Sequence, residues 1–165
     1  MSLDEDCLNS SGEKKVVEAL RAAGYEPAVS RFSRGTETAD ASAREIGVHV
    51  SRIIKSMVVS ADGQPVLALL PGDRRADLKA ISKIVGARKV RLADPEQVIN
   101  WTGFPVGAVA PVGHVRPLRV LLDEDIPVDG DIFPAAGEKN NAFKTTFQAL
   151  LNMTSGTVCR ISQES

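Results

Sequence analysis

Histidine and cysteine are scarce in this sequence, with two of each among 165 residues. His49 and His114 have no second His or Cys at ligand spacing, and Cys7 and Cys159 lie near opposite ends. Neither a zinc or iron site nor a dithiol motif is expected from that inventory, and a reduced, intracellular setting is the simplest one. No apolar run approaches the roughly 20 residues of a membrane helix, and the acidic start Asp4-Glu5-Asp6 is unlike a signal peptide. The expectation is a cytoplasmic protein with no membrane partner, residues 1 to 10 forming a flexible leader and 11 to 165 a single domain. The chain also lacks a Gly-rich phosphate loop, a dinucleotide fingerprint and a Gly-x-Ser-x-Gly elbow. Familiar nucleotide and triad enzymes drop out and no cofactor or metal is implied. Any catalysis must rest on positioning and electrostatics.

Charge is nearly balanced, at -1 overall, and 43% of the residues are hydrophobic, enough for a real core without disulfides. The balance hides an uneven distribution. From Gly72 to Arg91 the bases Arg74, Arg75, Lys79, Lys83, Arg88, Lys89 and Arg91 face only Asp73 and Asp77, whereas Asp123, Glu124, Asp125, Asp129, Asp131 and Glu138 form an acidic counterpart. Such a basic run is either a solvated face or a phosphate-binding surface.

Local signals predict a mixture of hairpins and helices. Ser10 and Glu13 have capping-box spacing before a helix over 11 to 23, and Thr38 caps a second helix that ends at Gly47. A strand over 52 to 59, the Asp62-Gly63 turn and a strand over 66 to 70 make a hairpin. A helix over 77 to 85, a strand over 89 to 92 and a helix after Asp94-Pro95 follow. After a structured loop from Gly103 to Pro117, strands are expected at 118 to 122, 131 to 134 and 157 to 161. A short helix at 147 to 151, after Thr145 or Thr146, completes the set. The fold class is α/β, a mixed sheet with helices around it rather than a strict βαβ array.

Lys55 stands in the most strand-like stretch of the chain, Arg52-Ile53-Ile54-Lys55-Ser56-Met57-Val58-Val59. With a period of two it shares a face with Ile53, Met57 and Val59, while Ile54 and Val58 point the other way, so both faces are largely apolar. A cation there needs an anionic or electron-rich partner, which favours function; the alternative is an edge strand whose lysine snorkels to water. A second feature is the segment from Gly103 to His114. Its glycines and prolines can fix backbone N–H groups of Gly107, Ala108, Val109 and Ala110 in a concave arrangement, or can make an ordinary surface connection. His114 on its own is more often structural than catalytic.

Taken in order, Ile53-Ile54-Lys55-Ser56-Met57-Val58, Pro71-Gly72-Asp73-Arg74 with Asp77-Leu78-Lys79, Gly107-x-x-x-Pro111-x-Gly113-His114, Leu121-Leu122-Asp123-Glu124 and Ala136-Gly137 resemble the YbaK/ProX family. These are aminoacyl-tRNA deacylases that also occur as the inserted editing domain of bacterial prolyl-tRNA synthetases. The resemblance, over about residues 30 to 161, implies a central mixed, partly barrel-like sheet surrounded by helices. It implies a metal-independent trans-editing hydrolase acting on the acceptor end of Cys- or Ala-tRNA(Pro), with prolyl-tRNA synthetase as a possible partner. The family's strand lysine maps onto Lys55, and its Gly-x-x-x-Pro loop onto Gly107 and Pro111, the expected catalytic set. Met57, Ala108, Val109, Ala110, His114, Gly137, Asn140 and Phe143 are the expected substrate contacts, and Arg74 and Lys79 the expected tRNA contacts. The segment from Ala136 to Phe143 carries Asn-Asn where cysteinyl-tRNA(Pro) deacylases carry a Gly-Lys-Arg-Gly type of sequence. The alternatives are a non-catalytic tRNA-binding or synthetase-associated module and a small-ligand regulatory domain.

Overall fold

The computed structural model describes residues 11–33 and 38–164. The expected leader and its Ser10 cap lie outside the described residues. Five α-helices are present among the described residues: α1 (Ser11–Ala22), α2 (Ala39–Ile46), α3 (Leu78–Val85), α4 (Pro95–Thr102) and α5 (Phe147–Thr154). None is long and apolar enough to cross a membrane. The strands are β1 (Val29–Arg31), β2 (Ile53–Ala61), β3 (Gln64–Pro71), β4 (Arg74–Ala76), β5 (Val90–Leu92), β6 (Arg119–Asp123), β7 (Phe133–Pro134), β8 (Asn141–Phe143), β9 (Thr157–Cys159) and β10 (Ser162–Glu164).

The helix ends follow their local chemistry. The Thr38, Asp77 and Thr146 side chains accept the backbone N–H of Ala41, Ala80 and Ala149, and Asp94 with Gln97 forms a reciprocal capping box ahead of Pro95. Gly47, Gly86 and Gly103 close α2, α3 and α4 in the left-handed region.

A six-stranded mixed sheet runs in the order β5-β2-β3-β6-β9, with β7 also on β2. The sheet stays open and does not close into a barrel. Within it, β2 and β3 form the antiparallel hairpin, whereas β3 with β6 and β6 with β9 are parallel. Two small antiparallel pairs, β1 with β8 and β4 with β10, lie outside it. These two pairs were not expected: each strand in them has three residues, too few for an alternation to register, and each is formed only by a partner distant in sequence.

The hairpin alternates as its period requires. Ile54, Val58, Leu67 and Leu69 enter one apolar cluster, under α1, α4 and α5. Val59, Ala61, Val66, Ala68 and Leu70 enter the opposite one, with Leu78, Ile81, Ile84 and Val85 of α3 above them. At the start of β2, Ile53 packs with Phe32, Ala43 and Phe133 in a third cluster beneath α2. A strand buried on both sides leaves little freedom of register, since a one-residue slip would exchange two apolar sets of different shape.

Candidate functional site

Lys55 does not lie on an edge strand. It sits opposite Leu70 in a β2 strand that β3 pairs along almost its full length. On its other side β2 is paired first by β7, at Ile53 and Ile54, and then by β5, from Val59 to Ala61. Between those two short partners, Lys55, Ser56 and Met57 have strand pairing to β3 alone. The interruption opens a cavity of about 280 Å3.

Four chain segments meet around it. Lys55, Ser56 and Met57 come from the strand, and Val106, Gly107 and Val109 from the loop after α4. Phe32, Thr38 and Ser42 form one wall; Phe133, Ala135, Lys139 and Asn141 form another. Among the described residues the lining includes no carboxylate, thiol or imidazole. Among the described residues no group of three or more His, Cys, Asp or Glu is placed to hold a metal ion.

The half-buried Lys55 ammonium donates to the carbonyl oxygen of Arg74, at the start of β4. Burial lowers its pKa, and the nearby charge of Asp73 opposes that shift. The Pro71-Gly72-Asp73-Arg74 segment thus holds the lysine. The Arg74 guanidinium pairs with Asp125 at 3.3 Å. Lys79 is exposed on α3. Next to Lys55, the Ser56 hydroxyl is buried and has no hydrogen-bond partner. A buried polar atom left in that state costs roughly 1–3 kcal/mol, so it marks a place where a ligand group could restore a bond.

The loop from Gly103 to His114 belongs to the interior: Phe104, Ala108, Val109, Ala110 and Val112 are all buried. The Thr102 hydroxyl donates to the Val98 carbonyl at 2.7 Å and accepts the Phe104 N–H at 3.0 Å, which fixes the exit from α4. His114 Nε2 donates to the Ala110 carbonyl at 2.7 Å, and its ring meets Phe104 edge to face, with centroids 6.2 Å apart. Burial lowers the His114 pKa, with the Ala110 hydrogen bond opposing. This imidazole braces the loop from behind and does not line the cavity.

At the tip, the Ala108 N–H donates to the Pro105 carbonyl at 3.0 Å, closing a turn in which Gly107 has φ +87°. The Ala108 amide is therefore engaged. Among the described residues the amides of Gly107, Val109 and Ala110 donate to nothing.

The segment from Ala135 to Asn141 is pinned from α1. The buried Glu13 carboxylate pairs with the Arg31 guanidinium and accepts the Asn141 amide at 3.1 Å. The Asn141 side-chain oxygen accepts the Ala136 and Glu138 N–H groups at 3.2 and 3.0 Å. Gly137, with φ +95°, lies directly against Gly12, where an added Cβ would come within 2.4 Å of backbone.

Of the residues expected from sequence, Lys55, Met57, Gly107 and Val109 meet in the cavity. Ala108, Gly137 and Asn140 line a neighbouring recess of about 490 Å3, and Lys139 borders both. Ala110 is fully buried, Pro111 is buried beside it, and Phe143 is 1% exposed in the core. Ser56, Thr38, Ser42 and Lys139 were missed as lining. Adjacency to Lys55 was the one available signal for Ser56, and none existed for residues that α2 delivers by packing.

Residues 33–153 match the aminoacyl-tRNA editing domain. The proline--tRNA ligase of Maridesulfovibrio salexigens is 29% identical over 138 residues, which is 83% of this chain and 22% of the ligase. A protein of Bacillus subtilis, the uncharacterised YwhH, is 34% identical over 119 residues, 72% of this chain and 75% of that protein. The chain spans about a fifth of the length of the ligases it matches. The crystal structure of a candidate trans-editing enzyme for prolyl-tRNA synthetase superposes with a TM-score of 0.88 at 33% identity, covering 92% of this chain and 97% of that one.

Proposed function

The chain belongs to the aminoacyl-tRNA editing domain family, and from that premise we propose that it hydrolyses the ester of mischarged aminoacyl-tRNA, with Cys- or Ala-tRNA(Pro) as substrate and without a metal. One observation carries this reading: Lys55, Ser56 with its buried, unpartnered hydroxyl, and the loop residues Gly107 and Val109, whose amides donate to nothing among the described residues, line a single small cavity where β2 lacks a strand partner.

An aminoacyl ester is already reactive, so orientation and charge stabilisation supply useful acceleration without a protein nucleophile. The carbonyl oxygen is directed to the Lys55 ammonium and the Gly107 or Val109 N–H. Water adds to the carbonyl carbon, the bond to the ribose oxygen breaks, and the proton released by the water ends on that ribose oxygen. Lys55 develops no covalent bond in this scheme; it anchors charge. The Ser56 hydroxyl serves the substrate's polar atoms.

The volume of about 280 Å3 lies just below the usual range for small-molecule sites, roughly 300–1,000 Å3, and suits a small aminoacyl group. Met57, Val109 and Phe133 bound it with apolar surface. Pockets separate amino acids differing by one methylene by only about 1–3 kcal/mol. A second sieve after charging is useful for that reason, and a prolyl-tRNA synthetase is the natural source of its substrate.

The test is a deacylation panel: tRNA(Pro) charged separately with Ala, Cys and Pro, together with Ser- and Thr-charged tRNAs. Turnover of the Ala or Cys ester with Pro-tRNA(Pro) spared is expected. No turnover of any ester would replace this reading with that of a non-catalytic tRNA-binding module.

A further inference from the structure

β5 lies on the same edge of β2 as the cavity. Reading along that edge, β7 covers Ile53 and Ile54, the cavity opens beside Lys55 to Met57, and β5 covers Val59 to Ala61. Arg91 stands opposite Ser60, three residues beyond Met57, or about 10 Å at the usual strand rise. At the far end is a second concavity of about 450 Å3, between the Asp62-Gly63 turn and the segment Arg88-Lys89-Val90-Arg91.

This groove has a built floor. The Asp62 carboxylate accepts the N–H of Lys89 at 2.7 Å and of Arg88 at 3.1 Å, and the Asp62 N–H donates to the Lys89 carbonyl at 2.8 Å. Those amides hold the Asp62 pKa below its ordinary value, first Lys89 and then Arg88. The carboxylate is spent on the backbone, and the three basic side chains are left on the surface. Arg88, Lys89 and Arg91 are all exposed, and among the described residues none is within salt-bridge distance of a carboxylate. Arg74 contrasts with them, since its guanidinium pairs with Asp125.

We infer that the groove formed by Asp62, Gly63, Arg88, Lys89 and Arg91 is a docking site for the phosphodiester backbone of an RNA acceptor arm whose 3′ end enters the neighbouring cavity. This rests on the editing function proposed above and adds where the polyanion lies. Exposed, unpaired bases gain most from phosphate contact, because neutralising a phosphate releases condensed counterions without first breaking an ion pair. Double-stranded RNA is held mainly through shape and phosphate or sugar contacts, which a shallow basic groove on a sheet edge provides. The arm runs along the β2 edge toward β5, so Arg74 and Lys79 are not its main support.

The experiment compares the wild-type chain with the triple variant Arg88→Gln, Lys89→Gln, Arg91→Gln on two esters: alanyl-tRNA(Pro) and the CCA trinucleotide carrying the same alanyl ester. In the variant, the ratio of kcat/KM on tRNA to that on the trinucleotide is expected to fall by about tenfold or more at low salt. The slope of log(kcat/KM) on tRNA against log[salt] is expected to flatten by about 2 to 3, near one unit per lost phosphate contact. An unchanged ratio with an unchanged slope overturns the inference. If wild type hydrolyses neither ester, the editing reading fails. The groove is then judged by uncharged tRNA binding alone, where equal affinity of wild type and variant across salt overturns it and a loss confined to the variant supports it.

Discussion

The Lys55 ammonium is held by the carbonyl oxygen of Arg74, a residue 19 positions further along the chain and beyond the hairpin to which Lys55 belongs. This bond holds a half-buried cation that lines the cavity without neutralising it. A carboxylate partner would have consumed the charge that an oxyanion needs; a carbonyl dipole does not.

Lys55→Ala is expected to lower deacylation by about 100-fold or more while the protein still folds, the scale seen when a preorganised oxyanion donor is lost. Lys55→Arg should not rescue it, because a planar guanidinium cannot occupy the position of a compact ammonium. Steady-state rates beside thermal unfolding curves decide the matter, and full activity in Lys55→Ala would remove this residue from the mechanism.

The pH profile carries a sign. Burial lowers the Lys55 pKa from its ordinary value of 10.5, and Asp73 raises it. Between the lowered folded value and the ordinary one the unfolded chain holds more protons, so this group's contribution to stability rises with pH there. Activity that needs the ammonium runs the opposite way and declines as pH climbs through the folded value. Asp73→Asn withdraws the opposing charge and should shift the alkaline decline of kcat/KM to lower pH. A profile superimposable on wild type would exclude Asp73 from this role.

Ser56→Ala should leave stability unchanged or slightly higher, since the wild-type hydroxyl is buried without a partner and its loss relieves an unsatisfied group worth about 1–3 kcal/mol. Deacylation should nevertheless weaken, through KM if the hydroxyl only binds and through kcat if its bond strengthens in the transition state. Unaltered kinetics would show that the substrate does not reach it.

Asn141→Ala should cost about 2–4 kcal/mol, because it strands the Ala136 and Glu138 amides and takes one donor from the buried Glu13 carboxylate, which keeps its Arg31 partner. KM should rise with it, as the wall carrying Ala135 and Lys139 loosens. Chemical denaturation and substrate titration read the two effects separately.

The two loop glycines should behave differently. Gly107 has φ +87° with open space around an added Cβ, so Gly107→Ala should cost about 1–2 kcal/mol of backbone strain. Gly137→Ala adds a collision with Gly12 at 2.4 Å, backbone against backbone, and should destabilise several times more in the same unfolding assay.

Much of the fold was legible because its signals are local. Capping at Thr38 and Asp94, the left-handed glycines after three helices, and the Asp62-Gly63 turn between two apolar runs each act within a few residues. The structure keeps all of them. The pairs β1 with β8 and β4 with β10 were not legible, since no three-residue strand announces a partner that only folding supplies. His114 shows the same divide. Sequence left it open between contact and support, and the bond to the Ala110 carbonyl together with the Phe104 ring makes it a support.

By itself, the sequence determined that a lysine would occupy a strand apolar on both faces and that a Gly/Pro loop would be structured, because side-chain period and backbone stereochemistry are properties of neighbouring residues. Only the tertiary structure decided that β2 would change partners from β7 to β5 beside that lysine and leave a gap there. It also decided that Ser56 and the loop residues Gly107 and Val109 would line that gap while Arg88, Lys89 and Arg91 came together at the far end of the same edge. Strand pairing joins segments separated by tens of residues, and no local preference encodes which edge is left uncovered.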